Sequence, residues 1–157
     1  MVAVRAKLAG LALAHGTIRT GADDRLWLRV NGKEIAKSAG NCHSPGPVKI
    51  TLQVGDLICA RLLDAAPPNR DFHMRFTADE GAIGFAADGT WRCYQPKDSD
   101  RWWVFQPHKD DPHCRVWGKG NKWIWGKGNP AYVYHVVTVQ DLTFAGPTIP
   151  TEGDDTK

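Results

Sequence analysis

A single antiparallel β-sandwich is the fold class that the sequence predicts, and three observations predict it. Apolar and polar residues alternate with a period of two in several short stretches, which is the pattern of half-buried strands. Sixteen glycines and ten prolines punctuate the chain between those stretches, and no long stretch carries helical periodicity. The 157 residues suffice to bury a substantial core in one domain without metal or disulfide support. The domain is expected over residues 1–146. A tail over 147–157, rich in Pro, Gly, Asp and Thr and almost devoid of apolar residues, reads as a flexible extension.

The first strand is expected within residues 4–14. Arg5 and Lys7 precede an apolar run from Leu8 to Ala14, and Ala12-Leu-Ala14 also satisfies the small-x-small rule of a signal-peptide cleavage site. The run is short and contains Gly10, so a strand is preferred over a signal. His15-Gly16 and a short segment Thr17-Ile-Arg-Thr20 then lead into the strongest local signal of the chain.

That signal is the hairpin over Gly21–Lys37. Leu26, Leu28 and Val30 alternate with Arg25, Trp27 and Arg29, and Asn31-Gly32 suits the positive φ angles of a type I′ turn. A two-residue turn places Leu28 opposite Ile35 and Arg29 opposite Glu34, one pair facing a core and the other forming an ion pair on the wet face.

Residues 38–47 are loop by composition. Val48, Ile50, Leu52 and Val54 alternate with Lys49, Thr51 and Gln53 and stop at Gly55-Asp56, a second half-buried strand. Leu57-Ile-Cys-Ala-Arg-Leu-Leu63 is apolar on both faces, which makes it central. After a break at Ala65–Arg70, Phe72, Met74 and Phe76 alternate with His73, Arg75 and Thr77. Gly81–Phe85 and Thr90–Tyr94 read as two short strands around the Asp88-Gly89 turn, followed by Trp102-Trp-Val-Phe105 and a polar loop from Gln106 to His113. Trp-Gly-Lys-Gly-Asn occurs at 117–121 and again at 125–129, placing similar glycine loops at the two ends of one strand. Ala131–Val139 is the last strong strand.

The net charge of +3, with Lys and Arg scattered, argues against a nucleic-acid partner, and no segment approaches the ~20 apolar residues of a membrane span. Cys42, Cys59, Cys93 and Cys114 have no zinc-type spacing. Cys59, in its apolar run, reads as reduced and buried, while the state of Cys93 and Cys114 stays open.

Seven tryptophans are the compositional outlier. An indole stacks on the apolar C–H face of a sugar ring while nearby Asp, Asn and Arg groups bond its hydroxyls, so Trp102, Trp103, Trp123 and Trp125 are the candidate ligand-binding residues. Core packing competes for them. One of Trp102 and Trp103 is expected inside and one outside, and Trp123 and Trp125 share a face opposite Ile124. Asp23 and Asp24 are the candidate metal ligands, for calcium, although capping a turn is the commoner use of such a pair and calcium requires about six oxygens. His108, Asp110, Asp111, His113 and Cys114 are metal-like in composition, but Pro112 interrupts them and the spacing is no zinc pattern. The Gly-Lys-Gly-Asn loops lack the flanks of a phosphate-binding loop and read as ordinary tips. No nucleophile elbow, acid/base carboxylate pair or Ser/His/Asp arrangement stands out, so a non-enzymatic role is expected.

Taken together, Ala22-Asp-Asp before Leu28-Arg-Val-Asn-Gly32, the strand pair Ile50-Thr-Leu-Gln-Val-Gly-Asp-Leu-Ile-Cys-Ala60, Gly84-Phe with Thr90-Trp-Arg-Cys93, and Lys122-Trp-Ile-Trp125 with Tyr132-Val-Tyr134 resemble the galactose-binding-like β-sandwich superfamily over residues 20–140. His135 departs from the pattern, since many relatives place an arginine there. The resemblance implies a jelly-roll sandwich whose end loops bind glycans, in some relatives beside a structural calcium ion, and an extracellular, cell-surface or virion setting. It leaves a glycan, bound by a non-catalytic recognition module, or a protein, contacted either by a structural or assembly component that forms a homo-oligomer or by an accessory sandwich within an enzyme complex.

Overall fold

The computed structural model describes residues 13–41, 43–65, 70–81, 83–117 and 123–143, the side chain of Trp117 excepted. Its strands are β1 (Leu13–Asp23), β2 (Arg25–Val30), β3 (Lys33–Lys37), β4 (Val48–Gln53), β5 (Leu57–Leu63), β6 (Asp71–Ala78), β7 (Gly84–Ala86), β8 (Arg92–Cys93), β9 (Arg115–Trp117), β10 (Trp123–Trp125) and β11 (Ala131–Val136). They form two antiparallel sheets packed face to face. The first runs β4-β1-β6-β10-β9, with β7 also paired to β6, and the second runs β3-β2-β5-β11-β8. The expected all-β sandwich is the observed architecture. The residues proposed for the start of the first strand before Leu13, the first Trp-Gly-Lys-Gly-Asn loop beyond Trp117, Cys42 and the C-terminal tail lie outside the described residues.

Alternation builds the core. Leu26, Leu28, Ile58 and Leu62 of the second sheet, and Ile18, Phe72 and Phe76 of the first, have no exposed surface. Burying each such side chain contributes about 1.5–3 kcal/mol. The β5 strand lies between β2 and β11, as its two apolar faces require. Ile58, Ala60 and Leu62 enter the core between the sheets, while Cys59 belongs to a second, aromatic cluster on the far side.

The hairpin turn has φ of 50° at Asn31 and 84° at Gly32, and pairs Val30 with Lys33 and Arg29 with Glu34 as expected. A bulge then shifts the register, so that Leu28 faces Ala36 and not Ile35. The small Ala36 fits the crowded interior, and Ile35 is left half-buried. The expected Arg29–Glu34 ion pair is also replaced. Arg29 lies over the Trp103 ring at 3.6 Å from its centroid and donates a hydrogen bond to the Gly32 carbonyl. Asn31 docks the turn against the next strand pair, donating to Asp56 at 2.9 Å and accepting from the Leu57 amide at 2.9 Å.

Three further expectations are corrected. First, β1 runs unbroken through Gly16. A Cβ there would lie 2.4 Å from the Thr77 carbonyl oxygen and 2.7 Å from Phe76 Cζ, so glycine permits close contact with β6 and does not break the strand. Second, the inside/outside split expected of Trp102 and Trp103 does not rest on a strand, because there is none over Trp102–Phe105. A 3₁₀ turn at Ser99–Arg101 delivers this segment across the outer face of the second sheet, where Trp102 packs with Cys59, Tyr94, Tyr132 and Tyr134. Third, the second glycine loop, 125–129, carries the chain from the first sheet to the second instead of capping a hairpin. Asn129 holds it by exchanging hydrogen bonds with the Asp64 backbone at 2.9 and 2.6 Å.

Candidate functional site

The four candidate tryptophans separate by burial. Trp102 and Trp125 are 6% and 2% exposed and serve packing. Trp125 sits in the main core and donates from Nε1 to the Gly128 carbonyl at 3.1 Å, so both it and Ile124 point inward, contrary to the expected split of faces. A three-residue strand at the rim does not maintain strict alternation. Trp103 is half-buried beneath Arg29 and beside Gly32. Trp123 is half-buried and lines a depression.

That depression is a pocket of about 240 Å³ at the junction of β1, β6 and β10, walled by Trp123, Asp23, Asp71, His73, Ser44 and Ala22. The strand registers create it. Asp23 lies opposite Asp71 and Gly21 opposite His73 on the paired strands β1 and β6. Alternation turns Phe72 and Met74 into the core and leaves Asp71 and His73 on the outer face. Gly21 supplies the space: a Cβ at that position would lie 2.6 Å from Ser44 Oγ and 2.7 Å from His73 Cε1. The His73 ring meets the Trp123 indole edge-on, with centroids 5.3 Å apart.

His73 is electrostatically tuned. Burial lowers its pKa below the ordinary imidazole value, and the nearby Asp71 carboxylate only partly opposes this. The ring is therefore neutral at pH 7, with one nitrogen able to donate and the other to accept. Its Nδ1 is buried and has no hydrogen-bond partner among the described residues. The pocket thus offers an apolar indole wall, two carboxylates, a hydroxyl and a neutral imidazole, a set that matches the mixed donors and acceptors of a sugar.

The candidate calcium ligands divide. Asp23 lines this pocket, whereas Asp24 is 5% exposed and accepts the Ala65 amide at 2.7 Å through Oδ2. Asp24 thereby acts as a backbone cap. Among the described residues no three His, Cys, Asp or Glu side chains are grouped to hold a metal ion. Asp23 and Asp24 thus face different surroundings. In the 108–114 loop, Asp111 is held by the Tyr134 hydroxyl at 2.6 Å and the His108 amide at 3.0 Å.

A second, larger groove of about 990 Å³ opens where the short strands β7 and β8 leave the edges of the two sheets incompletely paired. His135 stacks on Trp91 with the rings 7° from parallel, and its Nε2 lies 2.6 Å from Asp141 Oδ2. Burial alone would raise the Asp141 pKa. Hydrogen bonds from His135 and the Thr138 amide outweigh that and hold it below the usual carboxylate value. Arg75, Arg92 and Lys109 also line the groove.

Sequence reasoning did not find Ser44, His73, Asp71 or the groove. The alternation of β6 already marked His73 as outward-facing, but its meeting with Trp123 depends on long-range strand order. No family model matches the chain, and neither a search of curated proteins nor one of solved structures finds a match. Among the described residues no helix is long and apolar enough to cross a membrane.

Proposed function

We propose that the protein is a non-catalytic carbohydrate-recognition module of the galactose-binding-like, jelly-roll kind, and that it holds a sugar in the Trp123 pocket. The observation that carries this reading is the convergence of the half-buried Trp123 indole with Asp23, Asp71, Ser44 and His73 around a pocket of about 240 Å³. Stacking on the indole removes the apolar ring face from water, and the carboxylates accept hydroxyl hydrogen bonds strengthened by their charge.

A glycan-array screen of the purified protein tests this, followed by incubation of the selected glycan and assay for new reducing ends. Selective retention without cleavage is the expected result. Cleavage would replace the recognition role with an enzymatic one. A blank array from a protein that forms a discrete oligomer by light scattering would favour the assembly role instead.

A further inference from the structure

We infer that the large groove is a second subsite for the same ligand and takes its anionic group, so that the ligand is an acidic oligosaccharide, carboxylated or sulfated. This rests on the carbohydrate reading of the Trp123 pocket and adds the charge and extent of the ligand.

The first observation is charge. Arg75 and Lys109 are exposed on the groove wall, and neither pairs with a carboxylate among the described residues. Arg92 joins them and donates to the Asp111 carbonyl oxygen, which leaves its charge uncompensated by that bond. The two carboxylates of the groove are engaged internally. Asp88 accepts the Thr90 amide at 2.8 Å, and Asp141 is held by His135 at 2.6 Å and the Thr138 amide at 2.8 Å. Arg75, Arg92 and Lys109 outnumber Asp88 and Asp141 on the groove wall, so the groove is net positive, whereas Asp23 and Asp71 line the Trp123 pocket.

The second observation is continuity. Both depressions draw on the outward row of one strand: Asp71 and His73 line the pocket, Arg75 and Thr77 line the groove, and the intervening Phe72, Met74 and Phe76 are buried. Successive outward residues on a strand are about 7 Å apart. An extended chain of sugars lying along β6 would pass from the carboxylate-lined pocket, suited to hydroxyl donors, into the cationic groove, suited to an acid group. A volume of about 990 Å³ accommodates more than one ring.

Calorimetric titration tests the proposal with four probes: a neutral hexasaccharide, a polyuronate hexasaccharide, a sulfated hexasaccharide and inorganic sulfate. At least one acidic hexasaccharide is expected to bind about tenfold more tightly than the neutral one, with affinity falling as salt is raised. Polyuronate and sulfated arms separate carboxylate from sulfate as the preferred group. An exposed cation contributes about threefold, so the double variant Arg75→Gln, Lys109→Gln should lose on the order of tenfold for the acidic ligand and flatten the salt dependence of its binding. Equal affinity for acidic and neutral chains, or an unaffected double variant, would overturn the anionic subsite while leaving the carbohydrate reading intact. Binding of sulfate alone, sensitive to the double variant, with no saccharide bound, would retain an anion site but sink the carbohydrate reading and this proposal with it. No binding of any probe would overturn both.

Discussion

Cys93 Sγ and Cys114 Sγ lie 3.8 Å apart, both buried, on two segments joined by an isolated antiparallel bridge between Arg92 and His113 beside the large groove. The Cys114 thiol bonds to Cys93. Burial opposes ionisation there, but that bond, together with the amide and charge of Lys127, holds Cys93 below the ordinary thiol value, whereas Cys114 is pushed far above it. Of the two buried thiols, Cys93 is the more readily ionised. Oxidised glutathione should convert the pair to a disulfide with loss of both thiol hydrogens. Closing a loop across their separation of 21 residues should stabilise the fold by about 3 kcal/mol. Mass spectrometry and a thermal melt check this, and Cys93→Ser should abolish the gain.

The two adjacent tryptophans on the second sheet should behave differently. Trp102→Ala removes a buried ring from the aromatic cluster, leaves the Tyr94 hydroxyl bond to its carbonyl without its packing support, and should cost about 3–5 kcal/mol. Trp103→Ala removes a half-buried ring and its Arg29 contact and should cost only about 1–2 kcal/mol. Urea denaturation of the two variants makes the comparison.

Acid should weaken the fold partly through Asp141. Its folded pKa is depressed below the ordinary carboxylate value, so its contribution is fully present above that value and is lost as pH falls through the folded pKa. Chemical denaturation between pH 5 and pH 2 should show the decline, and Asp141→Asn should flatten it. His73 acts in a higher window. Its depressed pKa means that stability falls as pH drops below about 6.5, where the unfolded chain takes up the proton first. His73→Gln should remove that component.

Gly21→Ala is expected to separate stability from binding. The added methyl meets the tip of Ser44 and the His73 ring, which line the pocket, so the fold should lose about 1–3 kcal/mol while the pocket closes. Gly16→Ala should be worse for the fold, because the nearest atom to its methyl is a backbone carbonyl oxygen of β6 at 2.4 Å. Circular dichroism melts and glycan binding measured on both variants check the pair.

Much of the sandwich was legible because local rules determined it. The Asn31-Gly32 turn, the two apolar faces of β5 and the alternation of β6 each follow from residue order. The bulge at Leu28 was not, since it reflects how Ala36 packs in the interior. Gly16 looked like a strand end because its reason, the approach of Phe76 and Thr77, lies 60 residues away in sequence. The candidate site was only half visible. Composition nominated Trp123 and Asp23, but packing drew Trp102 and Trp125 into the interior, and only strand pairing brought Asp71, His73 and Ser44 to Trp123.

The most direct test of the account is titration of an array-selected glycan into the wild-type protein, Trp123→Ala and Trp103→Ala. Loss of a stacking anchor should cost Trp123→Ala about 2 kcal/mol, roughly thirtyfold in affinity, and leave Trp103→Ala unchanged. Undiminished binding by a folded Trp123→Ala variant would contradict the account.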